Sequence, residues 1–304
     1  MTQKSFLRKC VEQRQLFVLC VPFLLLVLVF NYLPIWGWLM AFQDFRPGRG
    51  IMGSDWVGLA NFREMFNSPM FLRAFQNSLA ISIIRIVMGF TTAIGLALML
   101  NEVRFIVFKR IVQTISYLPF FISWVVAASI VYMTLAPSGI VNEVLLRLGL
   151  IESRIPFMGR PEYFYGIMGI SHVWKNVGFN AIIYLAAMTA IDPQLYEAAD
   201  VDGASRLRKI FSITLPSIMP TVKILLVLAI GTLMATSFEH AFLLSNPSNI
   251  SASQTLEIYV FQFALRGGRF SYGTAVGIFN SVIAITLIMI SNAVSKRIDG
   301  TGLF

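Results

Sequence analysis

The sequence predicts an all-α polytopic membrane protein with six transmembrane helices and both termini in the cytoplasm. Of its 304 residues, 57% are hydrophobic and only 13% are charged. So few polar side chains could not cover a water-soluble protein of this size. A membrane crossing takes roughly 20 apolar residues. We predict a single transmembrane domain over 1–304. Its stretches long enough for a crossing are about 16–42, 75–100, 111–136, 163–190, 221–243 and 272–294.

Basic residues set the predicted orientation. The net charge is +9, but Lys and Arg stand at the ends of the apolar stretches and form no separate basic stripe, which argues against nucleic-acid binding. A cytoplasmic amino terminus places the lysines of the connecting segments inside and leaves only arginines outside, spread over longer loops. The positive-inside rule therefore places the polar segment 191–220 in the cytoplasm.

The first apolar stretch is much longer than the core of a signal peptide and has no small-residue cleavage site, so we expect it to remain as the first transmembrane helix. Segments 46–73, 137–161 and 245–269 are predicted to be loops on the outer face. Within the second of these, Val141–Leu148 is apolar on one side. That pattern fits either a helix lying flat on the bilayer or a simple connector.

Polar residues recur at helical spacing on the second and fourth predicted spans. The second span carries a stripe of small and polar residues at steps of three and four: Ser78, Ser82, Arg85, Gly89 and Thr92. We expect this stripe to face protein or water rather than lipid. The fourth span is more polar still, and its spacing predicts a single face formed by His172, Lys175, Asn176 and Phe179.

Segment 191–220, which we call the coupling loop, is predicted to form two short helices joined by a bend. Asp192 can cap a helix whose first residue is Pro193, where the missing N–H costs nothing. Gly203 is then expected to end or turn this helix because the backbone there needs a positive φ or close packing. A basic edge follows, interpreted as a topological signal in preference to a specific contact: Arg206, Arg208 and Lys209.

The coupling loop also carries a family motif. Glu197-Ala198-Ala199, then Gly203 after three residues, then Ile213-Thr214-Leu215-Pro216 after nine more, resembles the EAA motif of binding-protein-dependent ABC importer permeases of the maltose-type sugar permease superfamily. In that family the loop is a coupling helix that docks in a groove of a separate ATPase subunit. The resemblance implies an ATPase contact made by Glu197, Ala198, Ala199, Asp202, Gly203, Leu215 and Pro216.

Further motifs resemble the branch of these permeases that handles complex and acidic oligosaccharides, which includes the alginate importer permeases. They are Asn31-Tyr32-Leu33-Pro34, Trp56-Val57-Gly58-Leu59 and Tyr272-Gly273-Thr274-Ala275-Val276-Gly277. The resemblance implies a transporter subunit of the bacterial inner membrane that takes up an oligosaccharide. It further implies a second permease subunit, expected to be a different chain, two ATP-binding subunits that hold ATP and Mg, an extracytoplasmic substrate-binding protein, and no cofactor on this chain.

Two cations mark a predicted substrate pathway. At about 1.5 Å per residue, Arg85 and Lys175 both lie near mid-depth of their spans, where a cation is costly and is a functional candidate. The sequence offers no acidic residue at matching depth, so their partners could be a carboxylate of the other permease, a backbone carbonyl or the substrate. Residues near these two cations could stack on sugar rings or bond hydroxyls. The predicted pathway consists of Arg85, His172, Trp174, Lys175, Asn176, Phe179 and Glu239. It favours an oligosaccharide with uronate or other anionic character over a neutral disaccharide.

Other function classes lack their chemistry in this sequence. No GxxxxGK[ST] phosphate loop, HExxH metal pair or GxSxG nucleophile occurs, and the two histidines, His172 and His240, belong to different spans. We therefore expect no catalytic residue and no metal site. The alternative function is a self-sufficient secondary transporter of a small polar solute, which an acidic residue deep in the membrane or paired half-helices would favour. A membrane enzyme is a third, weaker alternative.

Overall fold

The structure, a computed structural model of the chain, describes residues 14–233 and 238–299. Most of this part of the chain is helical. It divides into two compact units, a smaller one within Met1–Asn67 and Phe263–Phe279 and a larger one within Ser68–Gln262 and Asn280–Phe304. The predicted pathway residues and the coupling loop all belong to the larger unit.

The smaller unit combines the first long helix with a short hairpin. Its elements are α1 Arg14–Val27, a π-helical turn Leu28–Tyr32, a 3-10 helix Leu33–Phe42, β1 Gln43–Asp44, β2 Asp55–Trp56 and α2 Ala60–Asn67. The strands are antiparallel, with Gln43 opposite Trp56. Asn61 fixes the hairpin against the preceding 3-10 helix because its amide donates to the carbonyls of Ala41 and Gln43 at 2.9 and 3.2 Å.

The larger unit is built on two long helices. In chain order the remaining helices are α3 Pro69–Glu102, α4 Ile106–Tyr117, α5 Trp124–Leu135, α6 Ile140–Arg147, α7 Pro161–Thr189, α8 Pro193–Val201, α9 Arg206–Lys209, α10 Leu215–Gly231, α11 Phe238–Leu244, α12 Ile250–Ser253, α13 Leu256–Tyr259 and α14 Phe270–Asp299. Short 3-10 or π-helical segments lie at Leu118–Phe121, Phe157–Gly159, Ile210–Thr214 and Val260–Leu265. Helix α14 begins in the smaller unit and continues into the larger one.

Five helical stretches of the described residues are long and apolar enough to cross a membrane: Arg14–Phe42, Pro69–Glu102, Trp124–Arg147, Arg206–Gly231 and Phe270–Arg297. Helix α7, with 29 residues, has the length but carries the polar residues of the predicted fourth span, which lower its hydropathy. The all-α membrane fold is confirmed. The count of six spans stays a prediction, as does the cytoplasmic side of the termini, which lie outside the described residues.

The stretch 111–136, predicted as the third span, is not one continuous helix. Helix α4 ends at Tyr117, a 3-10 turn follows at Leu118–Phe121, and α5 begins after Ser123. The physical reason is local: Pro119 has no N–H to donate to a helix. The hydroxyl of Ser123 then caps α5 by accepting from the Val126 amide at 3.3 Å.

The stretch 221–243, predicted as the fifth span, does not coincide with a single helix either. Helix α10 begins earlier, at Leu215, and ends at Gly231, and α11 is a separate short helix. The end of α10 is set by Thr232, whose φ of −100° and ψ of 12° leave the helical region. Residues 234–237 of the predicted span lie outside the described residues.

The segment 245–269, predicted as an outer loop, is largely helical, and its middle is buried. Thr255 and Ile258 have no exposed surface. The Leu256 amide donates to the Ser78 hydroxyl of α3 at 2.8 Å, and the Asn77 side chain donates to the carbonyls of Ser251 and Gln254 at 3.0 Å. These bonds attach α12 and α13 to α3, so the segment contributes to the core of the larger unit.

Helices α3 and α7 pack along each other through two separate apolar clusters. One cluster includes Ile81, Phe164, Met168, Leu244 and Ile258. The other includes Ala93, Leu100, Ala181, Met188 and Ile218. Ser82 and Arg85 of α3 and His172 and Asn176 of α7 lie between the two clusters in sequence, so each helix has a polar middle between two apolar contacts.

Candidate functional site

A partly open cavity of about 240 Å³ lies between the polar middle of this helix pair and the end of α10. Arg85 lines it from the midpoint of α3. The polar side chains in its wall are Ser82, Arg85, His172, Asn180, Tyr184 and Thr232. As the sequence predicts, the small and polar stripe of α3 faces protein, because Ser82, Arg85 and Gly89 line the cavity while Ser78 bonds α13.

Two buried polar atoms in the cavity wall lack a hydrogen-bond partner among the described residues. They are the hydroxyl oxygen of Ser82 and Nε of Arg85. Buried polar atoms nearly always have a hydrogen-bond partner. Two such atoms without a partner in the same wall therefore point to a group that completes the site. The Ser82 side chain is not reached from outside the protein, since the residue is only 3% exposed.

Arg85 also has an acidic neighbour. Glu257 of α13 is close enough to interact electrostatically with the guanidinium. The sequence predicts no acidic partner for Arg85 at matching depth, whereas the structure gives Arg85 an electrostatic partner in Glu257. The reason is tertiary: Glu257 belongs to the buried segment that the sequence predicts as an outer loop.

His172 presents a hydrogen-bond donor at the cavity. The Asn176 amide donates to the His172 carbonyl at 2.9 Å and lies 3.2 Å from Nδ1 of the ring. With Nδ1 accepting from Asn176, the neutral ring carries its proton on Nε2. Nε2 faces α3 at Gly89, where a Cβ atom on this glycine would lie 3.7 Å from that nitrogen. Asn176 therefore orients His172 rather than lining the cavity itself.

Lys175 is bonded to the backbone at the interruption between α4 and α5, that is, residues 118–123. It is only 6% exposed, and its ammonium donates to the carbonyls of Phe120 and Ile122 at 2.8 and 2.7 Å, with that of Pro119 at 3.4 Å. An ammonium has three donors, so these carbonyls match its capacity. Of the expected partners, the structure pairs Lys175 with backbone carbonyls, and Glu239 also interacts with it electrostatically.

The residues predicted to share one face of α7 make different contacts. His172 lines the cavity, whereas Lys175 and Phe179 turn towards the interruption, where Phe179 stacks on Phe120 with ring centroids 3.9 Å apart. Trp174 and Glu239 are exposed and do not line the cavity.

Several cavity residues were absent from the predicted pathway. Asn180 and Tyr184 follow Asn176 at steps of four, so extending the polar stripe of α7 would have found both. Ser82 belongs to the predicted stripe of α3 but was not assigned to the pathway. Thr232 had no local signal pointing towards the cavity, because its position depends on where α10 ends.

The coupling loop folds through its own local signals. The Asp192 carboxylate accepts from the Gln194 amide at 2.9 Å, with Pro193 as the first helical residue of α8. At the other end Gly203 has φ of 70°, its amide donates to the Asp200 carbonyl at 3.1 Å, and the Ala204 amide donates to the Ala199 carbonyl at 2.9 Å. These two bonds form a Schellman motif. The predicted positive φ at Gly203 is confirmed, and close packing is not its cause because a Cβ there would meet no atom within 4 Å.

Two side-chain contacts hold the coupling loop together. The Tyr196 hydroxyl lies 2.8 Å from the Thr214 hydroxyl, which joins α8 to the segment before α10. The Lys209 ammonium lies 2.6 Å from a carboxylate oxygen of Asp200, which joins α9 to α8. Lys209 therefore has a structural partner within the loop, beyond the topological role that the sequence predicts.

The coupling loop exposes most of its predicted contact residues. Glu197, Ala198, Asp202, Gly203 and Pro216 are exposed, and Ala199 and Leu215 are half-buried. Large apolar side chains are exposed beside them: Leu195, Val201, Leu207 and Phe211. Val201 is 88% exposed. A group of large exposed apolar side chains is typical of an interaction site.

Comparison with known proteins identifies related sequences and structures. The family described as binding-protein-dependent transport system inner membrane component matches residues 85–300. The polygalacturonan/rhamnogalacturonan transport system permease protein YteP of Bacillus subtilis (strain 168) is 40% identical over 303 residues, which cover 99% of this chain and 94% of YteP.

Two solved structures are similar to this chain over nearly its whole length. One is a bacterial ABC transporter involved in the import of the acidic polysaccharide alginate, with 38% identity and a TM-score of 0.89 over 97% of this chain and 100% of the matched chain. The other is a bacterial alginate ABC transporter in complex with an alginate pentasaccharide-bound periplasmic protein, with 38% identity and a TM-score of 0.90 over 99% and 100%.

Proposed function

The chain belongs to the family of binding-protein-dependent transport system inner membrane components, and we propose that it forms part of the membrane pathway of an ATP-driven importer for an acidic oligosaccharide. It is a multi-pass inner-membrane protein and a transporter subunit rather than an enzyme. Six transmembrane helices with cytoplasmic termini fit this role. The second permease subunit is expected to be a different chain.

The observation that carries this proposal is the coupling loop. Helix α8 offers exposed Glu197 and Ala198 beside exposed apolar side chains, while Tyr196 and Lys209 hold its geometry from within. A preorganised surface with exposed apolar groups is suited to a partner that covers it. Since the sequence has no phosphate-binding loop, ATP and Mg²⁺ would be held by two separate ATP-binding subunits docked at this surface.

The substrate class rests on the relatives and on the cavity. YteP is named for polygalacturonan and rhamnogalacturonan, and the matched structures concern alginate. All of these are rich in uronate carboxylates. The arginine at the centre of α3 suits an anionic substrate, since guanidinium groups recognise carboxylates. An extracytoplasmic binding protein would deliver the oligosaccharide, as the complex with a periplasmic protein illustrates for alginate.

Charge reversal in the coupling loop tests the proposal. We expect Glu197→Arg to reduce co-purification of the ATP-binding subunits or to uncouple ATP hydrolysis from uptake, because it places a cation at the centre of the docking surface. Uptake of a labelled uronate oligosaccharide into proteoliposomes containing the full complex and its binding protein measures the coupling. Glu102→Arg is the matched control, since Glu102 is an exposed glutamate at the end of α3, outside the coupling loop. Equal uptake and equal subunit recovery in both variants would contradict the assignment.

The secondary transporter needs a separate test because Glu257 beside Arg85 removes one argument against it. Family membership favours the importer. Proteoliposomes that contain this chain and its second permease, without ATP-binding subunits, should not accumulate the oligosaccharide under a proton or sodium gradient. Accumulation under those conditions would favour the secondary transporter.

A further inference from the structure

Helix α4 has one side packed against the larger unit and one side turned away from it. On the packed side, Val112 contacts the apolar cluster that includes Ala181, and the Ser116 carbonyl lies against Gly178 of α7. The opposite side is exposed and apolar, and we call it the exposed face of α4. It consists of Val107, Phe108, Ile111, Ile115 and Leu118, the last of which follows the helix directly. The packing against α7 decides which side chains form this face.

Two arginines lie at the beginning of the exposed face. Arg104 precedes α4 and Arg110 lies near its start, and both are exposed. Neither side chain forms a hydrogen bond or an ion pair with another described residue. Lys109 is half-buried on the packed side. Segment 101–110 holds three basic residues and one acidic residue, Glu102, so this end of α4 is positively charged and attracts anions.

The length of the exposed face matches the depth of one bilayer leaflet. Eight residues separate Arg110 from Leu118, which is about 12 Å along a helix, and half of the hydrocarbon core is about 15 Å. The Thr114 hydroxyl on this side donates to the Arg110 carbonyl at 2.9 Å, so it brings no unpaired donor into hydrocarbon. Cations at one end and satisfied or apolar side chains beyond them suit the headgroup and the acyl chain of a lipid.

We propose that the exposed face of α4 binds an anionic phospholipid, with its phosphate between Arg104 and Arg110 and an acyl chain along the apolar side chains. Guanidinium groups bind phosphates through paired, charge-assisted hydrogen bonds. The lipid belongs to the leaflet on the side of the coupling loop, because Val112 packs against the same apolar cluster as Ile191 and Leu215 of that loop.

The charges favour a lipid over a second protein subunit as the occupant. The cores of protein interfaces are depleted in charged residues, whereas Arg104 and Arg110 are exposed beside the apolar side chains of this face. Under a protein subunit, both guanidiniums would need acidic partners to offset the cost of their burial. At a membrane surface, anionic headgroups and water supply those partners while the apolar side chains remain in hydrocarbon.

Native mass spectrometry of the purified complex, titrated with dioleoylphosphatidylglycerol or dioleoylphosphatidylcholine, tests the charge preference. The two lipids share their acyl chains and differ in net charge. We expect the wild type to bind phosphatidylglycerol more tightly. Arg104→Gln and Arg110→Gln should each weaken this binding by roughly fivefold, and the double variant by roughly 25-fold. Binding of phosphatidylcholine should stay within about twofold of wild type in all variants.

Arg73→Gln is the matched control because it removes an exposed arginine near the other end of α3, and it should bind both lipids like the wild type. Equal weakening of both lipids, or unchanged binding of phosphatidylglycerol in the double variant, would overturn the inference. Neither measurement involves ATP or the transported solute, so such a result would leave the proposed function intact.

A spin label at position 115 distinguishes a lipid from a protein subunit. Ile115→Cys is labelled in the complex after its other cysteines are replaced by serine, and the complex is placed in vesicles of both phospholipids. We expect frequent collisions of the label with dissolved oxygen and few with a water-soluble nickel chelate. Val112→Cys on the packed side is the control and should collide rarely with either. Rare collisions with oxygen at position 115 would show a protein cover and overturn the lipid site.

Discussion

Lys175→Met tests whether a single ammonium holds the break between α4 and α5. The Lys175 side chain donates to Phe120 and Ile122 at 2.8 and 2.7 Å and reaches Pro119 at 3.4 Å. These carbonyls belong to the 3-10 turn and the residues after it, where the regular helical ladder is interrupted. Methionine keeps the length and apolar stem of the side chain but donates no hydrogen bond. The substitution therefore isolates the role of the ammonium.

The expected magnitude follows from the two short bonds. A hydrogen bond to a charged group contributes about 1.5–3 kcal/mol, so two bonds give roughly 3–6 kcal/mol before the cost of burying the ammonium is subtracted. Methionine avoids that cost but leaves buried carbonyls unpaired. Breaking one side of a buried polar pair costs about 3–5 kcal/mol. We therefore expect Lys175→Met to destabilise the interruption by about 2–5 kcal/mol.

Hydrogen exchange measured by mass spectrometry on the complex in nanodiscs provides the local readout. Exchange of the amides in 118–126 should accelerate in Lys175→Met, because the turn loses its central donor and opens more often. The thermal unfolding midpoint should also fall. Lys109→Met removes an ammonium from α4 away from the interruption and should leave both measurements near wild type. Wild-type exchange in 118–126 of the Lys175→Met protein would refute the reasoning.

Two glycine substitutions should act through different physical causes. Gly203→Ala forces a positive φ on a residue with a Cβ and should destabilise the coupling loop by about 1–2 kcal/mol. Gly203→Asn should cost less because Asn tolerates this region. Equal affinity of the wild type and both variants for the ATP-binding subunits would contradict the role of the positive φ. Gly178→Ala would press its Cβ into the Ser116 carbonyl of α4 and should lower stability by about 1–3 kcal/mol. Gly166→Ala lies on the same helix, where the added Cβ would meet no atom within 4 Å, and should be neutral or stabilising by up to about 1 kcal/mol. A similar unfolding midpoint for Gly178→Ala and Gly166→Ala would contradict the close contact at Gly178.

The coupling loop was predictable from sequence because its structure depends on neighbours in the chain. Asp192 accepts from an amide two residues away. At the end of α8, the Gly203 amide donates to the Asp200 carbonyl and the Ala204 amide donates to the Ala199 carbonyl. Such caps and Schellman motifs arise from residue types at fixed short offsets. The EAA pattern adds a family expectation on the same residues, a contact with an ATPase subunit, which stays a prediction.

The interrupted third span and the buried segment after α11 could not be predicted in the same way. Hydropathy stays high across Leu118–Phe121, so a window of apolar residues passes over the break, although Pro119 was a visible signal. The segment 245–269 carries polar and breaker residues typical of a loop. Its burial depends on bonds from Asn77 and Ser78 of α3 across a long sequence separation, and no local pattern reports such contacts.

The two cations at the midpoints of α3 and α7 give the same signal in sequence, and their chemistry explains why their surroundings differ. The Lys175 ammonium is a compact group with three donors, which suits a cluster of carbonyls at a broken helix. The Arg85 guanidinium is a planar fork with five donors, more than one acidic neighbour can use. Its Nε is buried without a hydrogen-bond partner among the described residues, and the side chain lines the cavity. A lone cation at mid-depth therefore does not by itself identify a substrate contact; the number of acceptors that the fold already supplies decides between a structural and a binding role.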